Sequence, residues 1–222
     1  MKKNIKKFSL LFVAVLIFAT NIAFAQYDPE VKWGPSIANY EHKDSIAMPE
    51  PGGILLLGSS SFTIWQDVQD YFPDKNIVNR GFGGAQMSDI LHFKERLILP
   101  YKPSQIVVFV GGNDLAAGDD PKTIFREGKE LVKWTRKQFP DVQFSFLSMK
   151  PSPKRWELKN DMLELNNMLI KRARKKYIDY IDIWNPMLVN GEPVKENYLD
   201  DLLHLNSMGY KIWQNAMNPY LK

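Results

Sequence analysis

The chain has 222 residues, with Lys+Arg at 29 against Asp+Glu at 25, and its hydrophobic (45%) and charged (24%) shares are those of a globular protein, not a disordered or membrane-embedded one. That length suits one domain around a single core. Residues 1–25 hold four lysines and no acid, so the rest of the chain is balanced in charge and offers no basic patch for nucleic acid.

Lys2, Lys3, Lys6 and Lys7 precede an apolar run from Phe8 to Ala19, and Ala23-Phe24-Ala25 follows it. This pattern predicts a secretory signal cleaved near Ala25. The apolar run falls short of the roughly 20 residues that span a bilayer, so no stable membrane insertion is expected after cleavage. The expected product is an exported, periplasmic or extracellular domain over 26–222. There is no cysteine, which excludes disulfides, a lipoprotein anchor, a thiol nucleophile and thiolate metal sites.

After a polar, proline-containing entry segment from Gln26 to Pro51, short apolar runs alternate with longer amphipathic ones. Strands are predicted at Ile54–Leu57, Ile77–Val78, Ile106–Val110 and Val142–Leu147, with a weaker fifth at Tyr177–Ile183. Helices are predicted over 64–72, 86–97, 121–138, 156–176 and 206–219. Asp120-Pro121 supplies a cap and first-turn proline for the third, and Asn206 or Ser207 caps the last. Continuous apolar strands alternating with helices define an α/β class, a three-layer α/β/α sandwich around a parallel five-stranded sheet.

Ligands in such sheets bind beyond the carboxyl ends of the strands. The first three loops there read Gly58-Ser59-Ser60-Ser61, Gly81-Phe82-Gly83-Gly84 and Gly111-Gly112-Asn113-Asp114. A serine hydroxyl becomes a useful nucleophile only beside a base, and histidine is the side chain best suited to that task. Of the three histidines, His42 lies in the entry segment and His92 in a predicted helix. His204 follows Asp201 by three residues, a spacing that lets a carboxylate orient the imidazole. Gly84 and Asn113 offer a backbone and a side-chain N–H for an oxyanion. Each motif alone also reads as an ordinary turn; their recurrence at consecutive strand ends favours a site.

Other hydrolytic and nucleotide-binding patterns are missing. The first loop lacks the second glycine of G-x-S-x-G, no phosphate-binding G-x-x-x-x-G-K-[ST] follows a strand, and three scattered histidines do not form a metal cluster.

Taken in order, the blocks resemble those of the SGNH (GDSL-type) hydrolase superfamily over about residues 53–215. Gly58-Ser59-Ser60 is similar to its G-D-S block, with Ser59 where the family has aspartate. Asn79 to Gly84, Gly111-Gly112-Asn113-Asp114 and Asp201-Leu202-Leu203-His204 are similar to the other three. The nearest likeness is to the catalytic subunits of platelet-activating-factor acetylhydrolase, through the Gly-x-Gly-Gly block and the tryptophan after the serine.

The resemblance implies a flavodoxin-like sandwich. It also implies a nucleophile at Ser60, partners at His204 and Asp201, an oxyanion hole from Ser60, Gly84 and Asn113, and no metal or organic cofactor. Ser59 and Ser61 stay open as alternative nucleophiles. The implied activity is hydrolysis of O-acyl esters, O-acetyl or other short chains, on a small molecule or glycan. Lipid-ester hydrolysis, acyl transfer to a sugar acceptor and a non-catalytic carbohydrate-binding module are the alternatives. The segment Lys150 to Trp156 reads either as a basic, aromatic pocket wall or as a proline-rigid loop with a solvated basic face. Trp65, Trp134, Trp156, Trp184 and Trp213 read as core or edge packing.

Overall fold

The computed structural model describes residues 27–173 and 178–222. The secretory signal predicted over 1–25, the end of the helix predicted over 156–176 and the predicted strand start at Tyr177 lie outside them. Five strands, β1 (Ile54–Gly58), β2 (Ile77–Asn79), β3 (Gln105–Phe109), β4 (Gln143–Leu147) and β5 (Ile178–Ile181), form one parallel sheet in the order β2-β1-β3-β4-β5. Every residue of β1, β3 and β4 is buried, which is why their sequences are continuous runs and not alternations.

Strand side chains alternate between two cores. Leu55, Leu57, Ile106, Val108, Phe144 and Phe146 point to one face, and Ile54, Leu56, Val107, Phe109, Leu147 and Ile181 to the other. The first face is covered by α1 (Pro29–Ile46), α4 (Met87–His92), α5 (Lys94–Ile98), α7 (Pro121–Gln138) and α8 (Lys159–Ala173). The second is covered by α2 (Ser60–Ile64), α3 (Val68–Tyr71) and α9 (Ser207–Met217); α6 (Gly112–Ala117) sits at the carboxyl edge. This is the three-layer α/β sandwich the sequence predicts. Among the described residues, no helix is long and apolar enough to cross a membrane.

The entry segment departs from expectation, because most of it is helix α1. Asp28 caps it by accepting from the Glu30 N–H at 2.9 Å, and Pro29 takes the first helical position. Ile37 is its only fully buried residue, so α1 lacks an apolar stripe. Polar ties hold it in place: Asp44 pairs with Arg80 at 2.5 Å, and the Tyr40 hydroxyl donates to the Gly81 carbonyl.

Two predicted helices are broken. The 64–72 segment becomes α2 and α3, and the Asn79 amide caps the end of α2 by donating to the carbonyls of Phe62 (2.7 Å) and Trp65 (3.3 Å). The 86–97 segment divides at Phe93, whose ψ of 8° leaves helical geometry. The helix predicted from 156 begins at Lys159, after a 3₁₀ turn over Pro153–Leu158. The helix over 121–138 and the Asn206 cap, which accepts from Met208 and Gly209, are as predicted. A hairpin of β6 (Leu188–Val189) and β7 (Glu192–Pro193) was not anticipated.

Candidate active site

The carboxyl edge of the sheet gathers the loops. Gly58 ends β1 so close to β3 that an added Cβ would lie 2.2 Å from the Phe109 carbonyl oxygen, and no larger residue fits there. The chain then turns into α2, with Ser59 as N-cap and Ser60 in the first helical position. Helix N-termini leave N–H groups unpaired. The Ser60 N–H, like that of Gly84, donates to no acceptor among the described residues.

Ser60 Oγ lies 2.9 Å from His204 Nε2, and His204 Nδ1 lies 2.5 Å from Asp201 Oδ2. Residues 201–204 form a tight turn. Leu202 takes a left-handed φ of 57°, and Leu199 and His204 close the loop through a 2.8 Å backbone bond. Asp201 Oδ1 accepts from the N–H groups of Leu203 and His204, each at 2.9 Å. Burial pushes the Asp201 carboxyl up, but those two backbone donors and the His204 ring outweigh it and hold the pKa at about 2. The carboxylate is therefore ionised throughout the neutral range.

Of the three adjacent serines, Ser60 alone reaches His204. Ser61 is buried and accepts from Lys150 Nζ at 3.0 Å, while Ser59 is buried with its carbonyl accepting from Phe62 and Thr63. The other histidines stand elsewhere: His92 lies 2.9 Å from Glu30 on α1, and His42 is exposed on the same helix.

Gly84 has φ 85°, and a Cβ there would press to 3.0 Å on the Trp33 ring of α1. Gly83 runs alongside Ser60. Asn113 opens α6 and donates from Nδ2 to the Ala85 carbonyl at 3.0 Å; its Oδ1 accepts from Arg155 at 2.9 Å. Because a guanidinium only donates, this bond fixes which end of the amide is Nδ2 and leaves that nitrogen one further N–H beyond the bond to Ala85. Ser60 and Asn113 thus line one pocket, and Gly83, next to Gly84, runs along Ser60.

Asp114 anchors this loop from below, accepting from the Met87 N–H at 2.7 Å, while its other oxygen is buried with no partner among the described residues. Burial, opposed by backbone donors and reinforced by Glu127 and Asp119, raises its pKa to about 7. An unfolded aspartate titrates near about 3.9. Between those values the folded chain holds a proton that the unfolded chain has lost, so stability should fall as pH rises through this window. The denaturation midpoint is expected to be higher at pH 5 than at pH 8, and Asp114→Asn should narrow that gap.

The Lys150–Trp156 segment is a pocket wall and not a solvated face, although Lys154 is exposed. Lys150 is buried, and its Nζ donates both to Ser61 and to the Leu203 carbonyl, tying the serine loop to the histidine turn. Burial, with Arg155 pushing the same way and Asp201 opposing, lowers its pKa to about 7. Arg155 is half-buried and lines the same pocket as Ser60 and Asn113. Trp156 stacks on Trp184 at 5.7 Å, and Trp65 and Trp213 are wholly buried, so these rings pack.

A parallel α/β sandwich with a serine, an imidazole and a carboxylate in hydrogen-bond sequence at its carboxyl edge is arranged as in the serine hydrolases. The chain belongs to the GDSL-like lipase/acylhydrolase family, whose model matches residues 44–212. No curated protein matches the chain.

Solved structures share the fold. A protein of Streptococcus pneumonia described as a platelet activating factor superposes with TM-score 0.76 at 22% identity, covering 86% of this chain and 94% of its own. A GDSL-like lipase from Bacteroides thetaiotaomicron gives 0.70 at 18%, covering 83% and 96%. A variant of an acetyl-xylooligosaccharide esterase from Geobacillus stearmophilus gives 0.60 at 14%, covering 78% and 98%.

Proposed function

We propose that this chain is an exported serine esterase that removes short acyl groups, O-acetyl above all, from carbohydrates. The observation that carries the chemistry is the line from Ser60 Oγ through His204 to Asp201, at 2.9 and 2.5 Å. His204 Nε2 takes the serine proton as Oγ attacks the ester carbonyl, and Asp201 holds the ring and stabilises its cation. The oxyanion is held by the N–H groups of Ser60 and Gly84 and by Asn113 Nδ2. The alcohol leaves with the proton from His204. Water, activated by the same imidazole, then releases the acid and restores Ser60.

Two observations support the carbohydrate part. A groove runs beside Gly83 and Thr63 and is lined by Ser36, Asn39, Tyr40 and Gln66, a set of hydroxyl, amide and aromatic groups suited to sugar hydroxyls. One structure with the same fold is named for an acetyl-xylooligosaccharide. Export rests on the sequence of residues 1–25.

Asn113→Ala should lower kcat on a short-chain ester by about 10²–10³, with little change in KM, since the donor acts on charge that develops in the transition state. Steady-state kinetics checks this.

The wider reading is tested by acetate release from acetylated xylooligosaccharides beside p-nitrophenyl esters of increasing chain length. The expected result is release from the sugar and a rate that falls with chain length. A rate that climbs with chain length would favour lipid esters, and inertness toward every ester would favour a binding module. Transfer to an added sugar, in place of hydrolysis, would mark an acyltransferase.

A further inference from the structure

Resting on the esterase reading above, we propose that Arg155 is the receptor for an anionic group on the substrate, so that the preferred ester carries a carboxylate close to its scissile bond. The guanidinium is half-buried in the pocket that contains Ser60, yet no carboxylate lies within ion-pair distance of it among the described residues. Its hydrogen bond to a protein group runs from Nη2 to Asn113 Oδ1 at 2.9 Å. Nε and Nη1 have no acceptor among the described residues.

A desolvated, unpaired cation is costly, and proteins seldom hold one without a use for it. Here burial lowers the Arg155 pKa, and Glu157 and Asp114 act against that only from beyond ion-pair range.

A second, independent feature lies in the same pocket. Ser152 is 1% exposed, and its Oγ has no hydrogen-bond partner among the described residues. Buried hydroxyls are almost always paired, so an orphan donor on a residue that lines a pocket marks a place for a ligand acceptor. The pocket lining contains no acid, and Lys150 adds a third donor group. A guanidinium with unpaired N–H groups and a free hydroxyl together match a carboxylate, which takes charge-assisted and bidentate bonds. A neutral ester leaves the free guanidinium N–H groups and the Ser152 hydroxyl unanswered.

The carboxylate belongs either to the acyl group or to the alcohol, and matched substrates distinguish them. Monomethyl succinate against methyl butyrate places the charge on the acyl side. O-acetylated galacturonate against O-acetylated galactose places it on the alcohol side. In wild-type protein at neutral pH, kcat/KM is expected to favour the charged member of one pair by roughly 10- to 100-fold, the effect of hydrogen bonds to a charged group. Added salt should shrink the preference.

Arg155→Gln should bring the ratio to about one. It should also slow the neutral ester, because Asn113 loses its partner, so the ratio is the readout. Arg155→Lys should keep part of the preference, and Ser152→Ala, which leaves the Asn113 bond in place, should reduce it. Circular dichroism confirms that each variant is folded. The proposal is overturned if neutral esters are cleaved with no preference in either pair, or if the preference survives Arg155→Gln. Failure of the wild type on all of these esters and on p-nitrophenyl acetate would remove the esterase reading itself, and the proposal with it.

Discussion

Ser60→Ala should lower kcat for p-nitrophenyl acetate by about 10⁶-fold, and adding His204→Ala to it should cost almost nothing more. The two side chains act as one unit. Without the hydroxyl there is no proton for the imidazole to take, and without the imidazole the hydroxyl stays a weak nucleophile at neutral pH. Their separation of 2.9 Å is what makes the effects non-additive. Single and double variants, each folded by circular dichroism, provide the cycle. Ser59→Ala and Ser61→Ala should retain most activity, because neither serine lies within reach of His204; the small loss expected for Ser61→Ala comes from the missing acceptor for Lys150. Additive losses from Ser60 and His204 would separate the two residues into independent roles.

Asp201→Asn should lower kcat by about 10⁴-fold while leaving KM nearly unchanged. An asparagine can still accept the backbone N–H bonds of Leu203 and His204 through its carbonyl oxygen, so the turn should persist. It cannot stabilise the imidazolium, and its amide can favour the wrong tautomer of the ring. The wild-type carboxylate, held at about 2, stays charged across any practical assay range. Loss of activity at mildly acidic pH therefore reports protonation of another group. A loss below tenfold would indicate that Asp201 serves only to shape the turn.

Much of the fold was legible because β1, β3 and β4 are buried on both faces. Double burial demands unbroken apolar runs, and such runs are visible without any partner in view. The loops at their ends were legible for a related reason. Gly58 and Gly84 are glycines because a Cβ would meet backbone or an indole ring, so tight packing at the edge wrote itself into the sequence. Asp201 and His204 could be paired because three residues in a turn fix their side chains locally, with no long-range geometry to infer.

The rest depended on contacts between distant parts of the chain. Helix α1 was read as a polar entry because it buries so little, and it is held through Tyr40, Asp44 and Trp33 to residues far along the chain. The cap pattern Asp28-Pro29-Glu30 was the local signal that could have found it. The hairpin of β6 and β7 likewise had its signal in Asn190-Gly191, both with positive φ. Lys150 and Arg155 carried no such mark. Basic residues flanking a proline-rich turn look solvated until Ser61 and Leu203 are seen against Lys150, and Asn113 against Arg155.

The most direct test of the central claim is to trap the acyl-enzyme. The protein mixed with p-nitrophenyl acetate, quenched in acid during the first turnover and sequenced by tandem mass spectrometry, should carry one acetyl group, located on Ser60. The adduct should be absent in Ser60→Ala. An acetyl group on Ser59 or Ser61, or steady hydrolysis with no covalent adduct at any serine, would contradict the account.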